Sequence, residues 1–159
     1  MGTKYLVSKE SPGILYAANG LLMGLIVITP LAGFVDPGSV IILGLISGQV
    51  FIAGERYFSR FKWFTDPVGL LPGHFLGGIF GVTMIAFFTQ SAYAAASGNP
   101  TLPNGLLFGG GMAALHQLGI EVFGIAVVLA TVFVISYITI TGVSHLTNGL
   151  LTDCAKKQN

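Results

Sequence analysis

The hydrophobic positions of this chain fall in long unbroken runs. Four stretches, approximately Ile14–Val35, Gly38–Gly54, Val68–Thr89 and Leu118–Thr141, contain no Lys, Arg or Asp. Each is long enough to cross a hydrocarbon core, which takes roughly 17–25 helical residues. A barrel strand would alternate apolar and polar residues over about 10 positions, and these runs do not alternate. The pattern predicts an all-α membrane protein: four transmembrane helices in a single domain over residues 1–159. The second run is the shortest, so a re-entrant segment is an alternative reading for it. Ser91–Gly111, with Pro100, Pro103, Asn104 and Gly109–Gly111, breaks the pattern and predicts an irregular external connection.

Charge placement adds an orientation. Lys4 and Lys9 precede the first run, Arg56, Arg60 and Lys62 separate the second from the third, and Lys156 and Lys157 follow the fourth. Asp36–Pro37 and Gln90–Gln117 contain no Lys or Arg. An up-and-down path puts every basic residue on one side, and the bias of cytoplasmic loops toward Lys and Arg makes that side the cytoplasm. Both termini then lie inside, which requires an even number of spans. The expected location is the cell membrane, as a multi-pass protein whose first partner is the lipid bilayer.

Composition agrees. Charged residues are 8% of the chain and hydrophobic residues 53%, against about 25% charged in ordinary soluble domains. A net charge of +1 with seven Lys and Arg cannot line a phosphate groove, so no nucleic-acid partner is expected. Cys154 is the single cysteine and can form no internal disulfide. The first apolar run is too long for the h-region of a signal peptide. A myristoylation signal is also absent, because Leu6 stands where it needs Ser or Thr.

The 23 glycines are about twice the usual frequency. Lipid tails are as apolar as leucine, so membrane helices associate by close packing, which small residues permit. In the third run, Gly69, Gly73, Gly77 and Gly81 recur every four residues along one stripe, and Gly78 widens it. Gly20 with Gly24, and Gly44 with Gly48, mark similar faces on the first two runs.

His74 is the informative residue. Gly77 and Gly78 follow it at i+3 and i+4 and Gly81 at i+7, so its ring is expected to turn toward the bundle. An ionisable group inside a membrane marks a pathway or a buried partner. Apolar surroundings favour the uncharged imidazole, one nitrogen donating and the other accepting. The plainer alternative is a ring satisfied by a neighbouring helix's carbonyl. Asp66 and Pro67 read as a helix start, with Asp66 capping free N–H groups and Pro67 at the first helical position. Pro72 falls in the first turns, where proline is tolerated.

Glu121, near the external end of the fourth run, reads as a capping or interfacial carboxylate, with a coupling-ion or proton site as the alternative. Asn19 is expected to bond across helices, and His116 and His145 to lie on the surface. Phe51, Phe58, Phe61, Trp63 and Phe64 flank the basic loop as interfacial anchors. With no Ser/His/Asp constellation and no cluster of metal-ligand type, no enzyme activity, cofactor or metal is expected.

The run from Asp66-Pro67 through Pro72-Gly73-His74-Phe75-Leu76-Gly77-Gly78-Ile79-Phe80-Gly81 resembles the tenth-helix signature of the ammonium transporter (Amt) family, in which paired glycines follow a pore histidine. Ala17-Ala18-Asn19-Gly20, with Gly24 through Pro30 and Ala32-Gly33, is similar to that family's eighth helix, and Pro37 through Gly54 to its ninth. Leu118-Gly119-Ile120 and the run to Thr141 resemble the last helix. The resemblance covers roughly Ser11–Gly142. It implies a trimeric, channel-like transporter with ammonium or ammonia as substrate and one narrow apolar pore per subunit, lined by two facing histidines. His74 matches the second histidine, Leu70 an apolar pore-lining position and Asp66 the acidic residue at the mouth of the same helix. Gly73, Gly77, Gly78 and Gly81 would serve close helix packing.

The family has about eleven spans, and this chain matches only the last four. The first histidine, the aromatic gate and the external cation-recognition site come from earlier helices. Glu121 stands where the family has glutamine, and Gly69 replaces an acidic residue. The tail from Val143 lacks the family's acidic regulatory stretch, so the resemblance does not extend to docking by PII-type proteins. Two functions follow as expectations. One is the C-terminal part of an ammonium transporter, acting as a homotrimer or with a partner chain that supplies the N-terminal helices. The alternative is a non-transporting four-helix membrane interaction or regulatory protein.

Overall fold

Proline and aspartate positions set where the apolar runs start and stop as helices. In this computed structural model, residues 13–61 and 66–147 are described. Helix α1 spans Ile14–Ile28 and tightens into a 3-10 turn over Thr29–Leu31. Pro30 has no N–H to offer the carbonyl a turn before it, and Thr29 Oγ1 bonds back to the Leu25 carbonyl at 2.7 Å. Helix α2 covers Pro37–Phe58. Asp36 caps it, accepting from the Gly38 and Ser39 amides at 2.9 and 3.3 Å, with Pro37 at the first helical position. The second run is thus a continuous helix of 22 residues, extending past Glu55 and Arg56.

The third run starts later than its sequence suggests. Pro67 lies in a turn, and Gly69 is left-handed at φ +72°, a conformation that interrupts a right-handed helix. A π turn over Leu71–Phe75 follows, leading into α3 over Leu76–Phe88. Pro72 lacks the N–H a regular turn would use, and a widened turn accommodates that loss. The segment expected to be irregular holds helix α4, Ser91–Ala96, and a 3-10 turn, Leu106–Phe108. Helix α5 runs from Gly111 to Leu146, 36 residues, longer than the expected span at both ends. Hydropathy registers only the part suited to lipid, whereas the helix continues through Met112–Gln117, where no proline stops it.

No strand occurs among the described residues. Three helices are long and apolar enough to cross a membrane, Pro37–Phe58, Leu71–Phe88 and Gly111–Leu146, and the apolar helix Tyr16–Leu31 is shorter. Lys4, Lys9, Lys62, Trp63, Phe64, Cys154, Lys156 and Lys157 lie outside the described residues.

The chain divides into two units, Met1–Glu121 and Val122–Asn159. In the first, α1, α2 and α3 pack around two apolar clusters. Met23, Val27 and Phe51 form one, with Tyr16, Val50 and Phe80 against it. Leu31, Val35, Leu43 and Phe88 form the other. Glycine permits the closest approaches. A Cβ on Gly81 would stand 2.7 Å from the Val27 carbonyl oxygen, and one on Gly77 2.7 Å from Met23 Sδ. The turns at one end are tied together: the Gln90 amide donates to Asp36, Gln90 N–H to the Phe34 carbonyl at 2.8 Å, and Ser97 Oγ to the Gly33 carbonyl at 2.7 Å. The Ser39 hydroxyl, followed by the Gln90 amide and two backbone N–H groups, holds the Asp36 carboxyl below the usual carboxylate range despite partial desolvation. The described part of the second unit is helical through Leu146, with Phe133 and Tyr137 stacked at 6.4 Å between centroids.

Candidate functional site

His74 sits in the π turn, the irregular stretch of the third run. Asp66 positions this stretch: its Oδ1 accepts from Leu70 N–H at 2.9 Å and its Oδ2 from Leu71 N–H at 2.8 Å. Asp66 accepts these bonds across the Pro67–Gly69 turn, and Pro67, expected at the first helical position, lies in that turn. π turns occur frequently at functional sites because they re-aim one side chain relative to the regular helix.

The ring itself is exposed on the surface of this chain. It borders a cavity of about 20 Å³ whose wall includes Asn19, Leu22 and Ile26 of α1, Phe51 of α2, and Gly69 and Gly73. That volume holds a single water-sized molecule, for which about 10–15 Å³ is needed. The expectation that His74 turns into the bundle therefore needs correction. One side of the ring meets α1 across the cavity, and the other side is uncovered. Leu70, one turn earlier, is 54% exposed.

The glycine stripe divides in two. Gly77 and Gly81 lie against α1 and its 3-10 turn, while Gly73 and Gly78 have no atom within 4 Å of where a Cβ would be. Gly73 is nevertheless buried. Close contact also occurs at Gly54, where a Cβ would stand 2.7 Å from Leu76 and 3.1 Å from Pro72. Gly20, Gly44 and Gly48 face open space.

A second, larger cavity of about 370 Å³ adjoins the first. Asn19, Phe51 and Gly69 line both, and Glu55, Ser59 and Asp66 add polar groups to the larger one. The Tyr16 hydroxyl hydrogen-bonds the Glu55 carboxylate. The Asn19 side chain, expected to bond across helices, makes no such bond among the described residues; its amide stands against Gly69. The sequence signal for this neck was one asparagine in an apolar run. Its link to Gly69 was not visible, because that glycine's left-handed turn depends on the fold of the preceding loop.

Glu121 departs furthest from its expected place. It lies three turns inside α5, 6% exposed, so it does not cap the helix. Gln117 Nε2 donates to its Oε1 at 3.2 Å, and its Oε2 has no hydrogen-bond partner among the described residues. His116 and His145 lie on α5 and are exposed.

These observations define a class first: an all-helical integral membrane protein with a polar ring set in one of its spanning segments. The Ammonium Transporter Family model matches residues 1–157, and the chain belongs to that family. It is 30% identical to an ammonium transporter of Bacillus subtilis over 141 residues, 89% of this chain and 32% of that protein. It is 35% identical to ammonium transporter 1 member 2 of Oryza sativa over 120 residues, 75% of this chain and 23% of that protein. Ammonium transporter 1 member 4 of Arabidopsis thaliana is 31% identical over 123 residues, 74% of this chain and 24% of that protein. The chain thus spans about a third or less of the length of the curated relatives it matches. No solved structure gives a significant match.

Proposed function

We propose that this chain is the C-terminal portion of a channel-like ammonium transporter and contributes His74 to its pore. In this reading it crosses the bilayer four times with both termini in the cytoplasm, Leu70 supplies apolar lining near the histidine, and Asp66 holds the π turn in place. Another polypeptide or further chain supplies the N-terminal helices and the opposite wall, and the assembly is trimeric.

The observation that carries this reading is the uncovered imidazole beside a cavity of about 20 Å³. A polar ring in a spanning segment is costly against acyl chains, so a protein wall with a polar or hydrated path should cover it. Shedding water from ammonium in an apolar tube is expensive. Neutral ammonia needs only hydrogen bonds, and an uncharged imidazole offers both a donor and an acceptor.

Purification of the chain from its native membrane, with identification of co-purifying polypeptides, tests the assembly. Methylammonium uptake by that assembly in proteoliposomes tests the activity, with His74→Ala expected to abolish it. Uptake that survives the substitution removes His74 from the pore. The second reading, a non-transporting membrane interaction protein, has one feature in its favour: the cavity beside His74 has a volume of only about 20 Å³. A chain that purifies alone and conducts nothing would support it.

A further inference from the structure

The two cavities share Asn19, Phe51 and Gly69, and among the described residues the Asn19 side chain has no hydrogen-bond partner. Asn19 lies on α1, in a helix whose other residues are overwhelmingly apolar. Its amide lines both the larger cavity, with Glu55, Ser59 and Asp66, and the small one beside His74. The backbone opposite is brought close by Gly69. At φ +72° that residue has no Cβ, and an added one would stand 3.0 Å from Asn19 Nδ2. Phe51 completes the constriction, its Cε2 3.8 Å from where a Cβ on Gly69 would be. The neck between the cavities is therefore one amide, one aromatic edge and one bare backbone position.

An amide in an apolar helix loses its water partners and normally recovers them from a neighbouring helix. No protein group does this for Asn19 among the described residues. We infer that Asn19 is a substrate-positioning residue, whose amide binds a small N–H-bearing molecule at the neck between the polar vestibule and His74. The inference rests on the reading of His74 as a pathway residue and adds a second polar contact to that pathway.

The chemistry favours an amide at this point. Ammonium and methylammonium can only donate hydrogen bonds, and Asn19 Oδ1 accepts them. Ammonia also accepts, and Nδ2 can donate to it. One uncharged side chain therefore serves the molecule on either side of deprotonation, and it lacks the full charge that would hold the cation fast. The two carboxylates of the wider cavity are otherwise engaged, Asp66 with the Leu70 and Leu71 amides and Glu55 with Tyr16. Their charge attracts a cation into the vestibule, and Asn19 meets it at the exit.

The test uses the full chain in its membrane assembly, with asparagine side chains labelled for nuclear magnetic resonance. Titration with methylammonium chloride should move the Asn19 amide resonance saturably. Tetramethylammonium chloride, which carries the same charge and no N–H, should leave it in place. Asn19→Leu should lower methylammonium flux by about tenfold, corresponding to the loss of one useful contact, while Asn19→Ser, which puts a hydroxyl donor and acceptor in place of the amide, should recover part of the flux. An unmoved resonance, an equal response to tetramethylammonium, or full flux in Asn19→Leu overturns the inference. A saturable shift that persists in His74→Ala supports it, even if the flux of that variant shows that His74 itself is not on the path.

Discussion

Gly69 stands where a side chain would collide with Asn19: a Cβ there would lie 3.0 Å from the Asn19 Nδ2 atom. The same glycine is left-handed at φ +72°, so two independent constraints exclude a substituent. Gly69→Ala is expected to destabilise the protein by about 1–2 kcal/mol from the backbone alone and to narrow the neck beside His74. Thermal unfolding in detergent and methylammonium flux should both report the loss. An alanine variant of unchanged stability would contradict the turn geometry.

Gly78 and Gly81 give opposite outcomes on the same helix. A Cβ at Gly81 would stand 2.7 Å from the backbone oxygen of Val27, whereas Gly78 has nothing within 4 Å. Gly81→Ala should cost about 1–3 kcal/mol, the usual penalty for overpacking, and Gly78→Ala should stay within about 0.5 kcal/mol of the parent. Equal effects at the two positions would show that α3 does not present Gly81 to α1.

Glu121 is a carboxyl 6% exposed with one oxygen unpartnered among the described residues. Glu121→Met replaces it with an apolar side chain of similar reach. The expected gain in stability is about 1–3 kcal/mol, the desolvation penalty of an unsatisfied buried polar group. A loss of comparable size would mean that the carboxyl has a partner in the assembled protein.

Asp36 gives the protein an acid limit. Its carboxyl is held below the ordinary range by Ser39 first and then Gln90. A depressed folded-state pKa contributes stability that is complete above the unfolded value, about 3.9 for aspartate, and is lost as pH falls through the lower folded value. Stability measured downward from pH 6 should therefore begin to fall near pH 4 in the parent and decline less in Asp36→Asn. Identical acid profiles would remove Asp36 from the tie between the turns.

Much of the helical content was legible in the apolar runs. The boundaries were less so. Thr29–Leu31 closes the first helix early and the Gly69 turn delays the third, because these breaks depend on backbone φ values that hydropathy does not encode. The long extension of α5 through His116 was hidden for the opposite reason: a helix need not be apolar to persist. At the site, His74 was legible as an ionisable residue in a membrane run. Its uncovered side and its link through Asn19 to the wider cavity depend on how α1 lies against the π turn, a tertiary relation with no trace in local sequence. Glu121 was misplaced because a carboxylate near the start of an apolar run reads as a terminus, whereas the helix had begun ten residues before.

The most direct measurement is substrate protection of a thiol at position 74. In a Cys154→Ser background, His74→Cys in the membrane assembly is reacted with a small water-soluble thiol reagent, with and without methylammonium. Modification from the aqueous phase, slowed by methylammonium and unaffected by tetramethylammonium, is the result expected for a side chain lining the substrate path. A thiol that reacts only with lipid-soluble reagents, at a rate indifferent to methylammonium, would contradict it.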